Sequence, residues 1–115
     1  MVWTKRSLKW QGRLRMNSLR ERDIEKKLVE AVRKSGGLAP KFVSPGLDGV
    51  PDRIILFPKG RVAFAEVKAP GKKPRPLQAR RIKQLQSLGF QVYVIDEPEQ
   101  IEGVIKNIQT GGDAE

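Results

Sequence analysis

Asp52, Glu66 and Lys68 are the residues whose types and spacing suit chemistry. Asp52 follows Pro51 at the head of a β-rich apolar stretch, and Glu66 stands fourteen residues further on, with Lys68 two beyond it. Two carboxylates offer hard oxygen ligands of the kind Mg2+ and Mn2+ take, and they repel one another unless a cation lies between them. The backbone carbonyl of Val67 can add a further ligand. A metal held in this way lowers the pKa of its bound water and neutralises charge on a phosphodiester. Lys68 then either orients the attacking water or stabilises a pentavalent transition state electrostatically. Glu25 is a third acid, suited to bind directly, through water, or at a second metal. Gln78 can hold the lysine, the water or a phosphate oxygen.

Taken singly, each of these has an ordinary reading. Asp52 can cap a turn, Glu66 and Lys68 can be a strand-surface pair, and Glu25 and Gln78 can be exposed helix residues. The combination says more. Glu25 precedes Leu28, Val29 and Val32 by three, four and seven residues, so it shares their side of a helix. Gln78 precedes Ile82 and Leu85 by four and seven, and an amide on that inner stripe needs a hydrogen-bonding partner.

Composition narrows the chemistry. The 115 residues suit one domain with one modest core. There is no cysteine and no histidine. Disulfides, thiolate zinc sites and the usual neutral-pH general base are therefore absent. Catalysis has to rest on carboxylates, lysine, hydroxyls or a hard cation, and no small-molecule cofactor is expected. The net charge of +10 points to a polyanionic partner, nucleic acid. Lys72, Lys73, Arg75, Arg80, Arg81 and Lys83 follow the acid–lysine set with no acid among them, and can grip backbone phosphates. The alternative is a solvated helix face. No apolar run approaches the ~18 residues of a membrane span. The basic N-terminus lacks the apolar core of a secretory signal. A cytosolic location, away from membranes, is the expectation.

The elements that must position these side chains follow from periodicity. Ser18 and Glu21 have capping-box spacing, and Ile24, Leu28, Ala31 and Val32 mark a helix that stops at Gly36 and Gly37. Lys41 to Ser44 reads as a short first strand, and the following "SPGLDGVP" as a loop. Arg53–Phe57 and Arg61–Lys68 read as a hairpin about Pro58, Lys59 and Gly60. That pairing sets Asp52 opposite Glu66 or Lys68. Both faces of the second strand are largely apolar, which predicts a central strand. Leu77 to Leu88 reads as a helix, with Pro76 at its start and Gly89 at its end. Gln91 to Ile95 reads as a buried strand, and Glu99 to Ile108 as a closing helix. The order predicts a mixed sheet with helices packed against it. Residues 18–109 form the expected domain. Residues 110–115 form a loose tail. Residues 1–17, with Trp3 and Trp10 among five bases, are either a phosphate-gripping arm or an extension ahead of Met16.

The segments "DIEKKLVEAV", "KFVSPGLDGVPDR", "FAEVKAPGKKPRPLQ" and "LGFQVYVID" resemble the VRR-NUC branch of the PD-(D/E)XK nuclease superfamily, from about Asp23 to Ile105. The resemblance implies a restriction-endonuclease-like α/β fold with an αβββαβ core, and a divalent-metal phosphodiesterase active on DNA. It implies that Asp52, Glu66 and Lys68 are the core triad, Glu25 the first-helix acid and Gln78 the post-strand glutamine. It further implies a homodimer acting on branched DNA such as Holliday junctions, in a phage or bacterial host cytosol. Two other readings stay open: a non-catalytic DNA-binding module, and a restriction-type enzyme that reads a sequence. The chain leaves little material for a separate recognition domain in the latter case.

Overall fold

The structure is a computed structural model that describes residues 20–111. The expectations for residues 1–17, for Ser18 and for the end of the tail lie outside these residues. Helix α1 spans Glu21–Lys34 and buries Ile24, Leu28 and Val32 completely, with Val29 and Ala31 beside them. This is the stripe that the apolar spacing predicts. The helix begins later than the expected box at Ser18. Arg20 is the N-cap, and its backbone N–H donates to Oδ2 of Asp23 at 3.0 Å. An acid at the third helical position reaches an otherwise unpaired N–H and also sits favourably in the field of the helix N-terminus.

At its other end α1 closes in a Schellman motif, in which Gly37 N donates to Val32 O at 2.9 Å and Gly36 N to Arg33 O at 3.0 Å. Gly37 is also a point of close approach. A Cβ there would lie 2.5 Å from the Leu56 carbonyl and 2.7 Å from the Phe57 ring. Gly37→Ala is expected to cost about 2–3 kcal/mol through overpacking. Urea denaturation reads this as a lower midpoint with an unchanged slope, and an unchanged midpoint contradicts it.

Strands β1 (Arg53–Phe57) and β2 (Arg61–Val67) pair antiparallel, with Arg53 opposite Ala65 and Phe57 opposite Arg61. Strand β3 (Gln91–Ile95) pairs parallel to β2, with Val67 beside Ile95. The order β1-β2-β3 makes β2 central, as its two apolar faces predict.

The expected strand at Lys41–Ser44 is displaced and incomplete. Leu38 and Leu56 exchange backbone hydrogen bonds at 2.8 and 2.9 Å, Ile54 N donates to Pro40 O at 3.1 Å, and Phe42 N donates to Asp52 O at 2.8 Å. Residues 38–42 thus lie along β1 as a fourth extended segment. Pro40 has no N–H to return the bond from Ile54, so only isolated bridges form at Leu38 and Lys41.

Two layers cover the sheet. On one face α1 and helix α3 (Ile101–Gln109), which follows a short 3-10 turn at Pro98–Gln100, pack against Ile55, Phe57, Ala63, Ala65, Val67 and Ile95. Helix α2 (Pro76–Ser87) covers the other face, where Ile82 and Leu85 meet Phe42, Ile54, Phe64 and Val92. This is the expected α/β architecture, a mixed sheet with flanking helices. Among the described residues, no helix is long and apolar enough to cross a membrane.

Candidate active site

The alternation of β2 sends Ala63, Ala65 and Val67 toward α1 and α3, and Phe64 toward α2. Glu66 follows the parity of Phe64 and faces α2. Among the described residues it is the one charged residue in the core, at 1% exposure. Arg53 pairs with Ala65, so Asp52 continues the register beside Glu66 and shares the face of Ile54. Asp52 Oδ2 accepts the Val67 backbone N–H at 3.1 Å, which ties the start of β1 to the end of β2. Lys68, next in the chain, donates its backbone N–H to Ile95 O at 2.9 Å and places Nζ 3.3 Å from Glu66 Oε2. Asp52, Glu66 and Lys68 thus converge at one end of the sheet.

Gln78 completes the grip on Glu66. Its Oε1 accepts the Arg75 backbone N–H at 2.9 Å, capping α2, and its Nε2 donates to Glu66 Oε2 at 2.8 Å. The cap fixes which way the amide points. The expected partners of Gln78 were the lysine, a water or a phosphate; the structure gives it the carboxylate instead.

Oε2 of Glu66 therefore has two donors, while Oε1 is buried and has none. A buried carboxylate oxygen without a partner is costly, and a cation is what such an atom suits. Burial raises the pKa of both carboxyls above the usual carboxylate range. For Glu66 the neighbouring Asp52 charge adds to the rise, and for Asp52 the Glu25 charge does, while the Val67 N–H and Lys68 oppose it. Two desolvated, mutually repelling acids with a free oxygen fit a hard divalent cation.

The sign of the resulting pH dependence follows. Both groups hold protons more tightly folded than unfolded, so the folded chain binds more protons from about pH 4 up to the raised values. Stability conferred by protonation is lost as pH rises through that interval. In EDTA, a variant carrying Asp52→Asn and Glu66→Gln is expected to melt above the unaltered chain at pH 7.5. The gap should narrow as pH is lowered toward 4.5. A gap that stays constant in thermal melts contradicts this.

Glu25 is paired with Arg53 across the α1–β1 contact. Its Oε2 lies 2.9 Å from Arg53 Nε, in a partly buried ion pair, and Arg53 Nη1 also donates to Ala39 O at 2.8 Å. Among the described residues, no three acids come together as a metal cage. The pairing has a reason. Arg53 has the inward parity of Ile55 and Phe57, so its charge has to be met, and Glu25 sits on the facing side of α1. Sequence reasoning missed Arg53, although an arginine on a core-facing parity was the signal. Val67 enters the geometry through its N–H.

The basic run divides. Lys72, Lys73 and Arg75, ahead of α2, and Arg80 and Lys83, along it, are exposed. Arg81 is half-buried and engaged: Nε donates to the Asp48 carbonyl at 2.7 Å and Nη1 to Gln84 Oε1 at 2.5 Å.

The VRR-NUC domain model matches residues 3–96, most of the chain. The chain belongs to the VRR-NUC family. The match starts well before Asp23, where the resemblance in the sequence began, and ends ahead of α3. Among its relatives is "Putative nuclease p44" of Acyrthosiphon pisum secondary endosymbiont phage 1, 54% identical over 84 residues that cover 73% of this chain and 90% of that protein. A solved "VRR_NUC domain" superposes with a TM-score of 0.70 at 30% identity, covering 75% of this chain and 94% of the other. Membership in a VRR-NUC nuclease family sets the coarse function of the chain as a nuclease.

Proposed function

We propose that this VRR-NUC chain is a divalent-metal-dependent endonuclease that hydrolyses DNA phosphodiesters by the PD-(D/E)XK arrangement, acting on branched DNA such as Holliday junctions. The observation that carries this reading is the buried, unpartnered Oε1 of Glu66 beside Asp52, with Lys68 on the other oxygen. Asp52 and Glu66 are the residues to hold Mg2+ or Mn2+. Bound there, the ion would supply charge neutralisation at the phosphodiester and a water of lowered pKa.

The rest is the work of the chain itself. Gln78 and Lys68 saturate one oxygen of Glu66 and leave the other directed at the site. Lys68, held near that carboxylate, presents a positive charge where negative charge develops on phosphorus. Glu25 stays with Arg53 and acts on the site through its charge. Lys72, Lys73, Arg75, Arg80 and Lys83 bind phosphates flanking the scissile one. Cutting both strands of a symmetric junction takes two sites, so the acting form is a homodimer. The host cytosol is where such DNA is met.

The test is a cleavage panel of four-way junction, flap, splayed arm and plain duplex, in Mg2+, in Mn2+ and in EDTA, with light scattering for mass. Junction cutting by a dimer that stops in EDTA is the expected result. Cutting that persists undiminished in EDTA or in Asp52→Ala overturns the mechanism. A monomer mass at micromolar concentration overturns the dimer.

A further inference from the structure

The loop before Asp52 is docked onto α2 at two points. Arg81 Nε donates to the Asp48 carbonyl at 2.7 Å, and the same guanidinium is braced by Gln84 Oε1. One residue on, Gly49 adopts φ +79 and lies so close to α2 that a Cβ would meet Leu77 Cγ and the Leu77 carbonyl at 3.0 Å. From there Val50 and the fully buried Pro51 lead directly to Asp52. One turn earlier on the same helix, Gln78 holds Glu66. Helix α2 thus touches both carboxylates of the candidate site: Glu66 through Gln78, and Asp52 through the loop that Arg81 and Leu77 fix.

We propose that Arg81 is a positioning residue that sets the place of Asp52 relative to Glu66, by clamping the Asp48–Gly49 turn to α2, and that it does not bind DNA phosphate. The inference rests on the reading of Asp52 and Glu66 as the cation ligands. Arg81 has the charge and neighbours of a phosphate contact, and its sequence suggests one. Its geometry differs from that of Lys72, Lys73, Arg75, Arg80 and Lys83, which are exposed, whereas two of its donors are already directed at protein oxygens.

The two roles predict opposite signs. Removing a positive charge near two carboxylates should strengthen cation binding slightly on electrostatic grounds. Loosening the loop should weaken it, because the ligands are no longer held at a fixed separation. Groups that orient metal ligands from behind typically account for ~10–100-fold in affinity, and one acting through four residues of chain belongs at the lower end. On the DNA side, losing one phosphate contact lowers the salt slope of binding by about 1.

The experiment uses the full chain with Arg81→Ala, Arg81→Lys, Gly49→Ala and the Arg81→Ala/Gly49→Ala double variant. Mn2+ binding is read from the free-ion paramagnetic signal, without DNA. DNA binding is read in EDTA over a range of salt. Arg81→Ala is expected to lower Mn2+ affinity about tenfold with an unchanged salt slope, and excess Mn2+ should restore its turnover. Arg81→Lys, which can still donate to Asp48 O, should recover part of the affinity. Gly49→Ala disturbs the second docking point of the same loop, at Leu77, without altering charge, so it should also weaken Mn2+ binding. The double variant should lose less than the product of the two single losses. If Arg81→Ala fails to fold, Gly49→Ala and Arg81→Lys carry the test. Unchanged or tighter Mn2+ binding with a slope lower by about 1 overturns the inference and makes Arg81 a phosphate contact. Absence of Mn2+ binding by the unaltered chain overturns the ligand reading, and this inference with it.

Discussion

Glu66→Gln is expected to give a chain that melts higher than the original in EDTA and cuts DNA roughly 10^4-fold more slowly in Mn2+. Both effects have one origin. Glu66 is buried and its Oε1 has no partner. Glutamine keeps the shape and removes the charge. Its carbonyl can accept from Gln78 Nε2 and Lys68 in place of Oε2, and its amide then occupies the place of Oε1. A buried charge that the Asp52 carboxylate repels is thereby replaced by a neutral amide. Relief of one buried unsatisfied group corresponds to about 1 kcal/mol. On the proposed reading the same exchange removes a hard ligand, and with it the divalent ion. Mn2+ stabilises only the chain that binds it, and the order of the two melting temperatures should therefore invert when Mn2+ is added. Equal melting in EDTA, or cleavage near the original rate, contradicts the prediction.

Lys68→Met separates binding from chemistry. The methionine keeps most of the stem that leaves the Lys68 side chain only 14% exposed, and removes the ammonium 3.3 Å from Glu66 Oε2. Gln78 still holds that oxygen. With a cation removed beside two carboxylates, Mn2+ affinity should hold or rise. Single-turnover cleavage should fall by roughly 10^3-fold, the scale of removing one preorganised group that meets developing charge. A parallel fall in Mn2+ binding and cutting would make Lys68 a support for Glu66. A rate that is barely changed would remove it from the mechanism.

Period and alternation made much of this site legible in the sequence. The hairpin spacing put Asp52 opposite Glu66 or Lys68, and parity put Glu66 on one side of a strand whose two apolar faces marked it as central. Gln78, on the stripe of Ile82 and Leu85, had to meet a polar partner. What the sequence did not reveal was the partner in each case. Gln78 found Glu66 because capping of α2 turned its amide over, a detail of one torsion angle. Glu25 and Arg53 were each out of pattern on elements that proved to face one another, but facing is a property of packing. Arg81 was indistinguishable from its basic neighbours until a carbonyl 33 positions earlier in the chain came within 2.7 Å. The first strand failed for a local reason, the missing N–H of Pro40.

The central position of β2 has a consequence for how the molecule comes apart. Amides paired on both sides exchange with solvent only when most of a protein opens, whereas segments bridged intermittently along one border open at lower free energy. Ala63, Phe64 and Ala65 belong to the first kind of backbone, and Glu66 and Lys68 continue from them, bonded on the β3 side. Asp52 belongs to the second, held by the broken ladder of residues 38–42 and by one bond to Val67. Warming or mild denaturant should therefore release Asp52 while the hairpin core is still protected. On the proposed reading of Asp52 as a ligand, ion binding is then lost in a fluctuation that leaves most of the chain native.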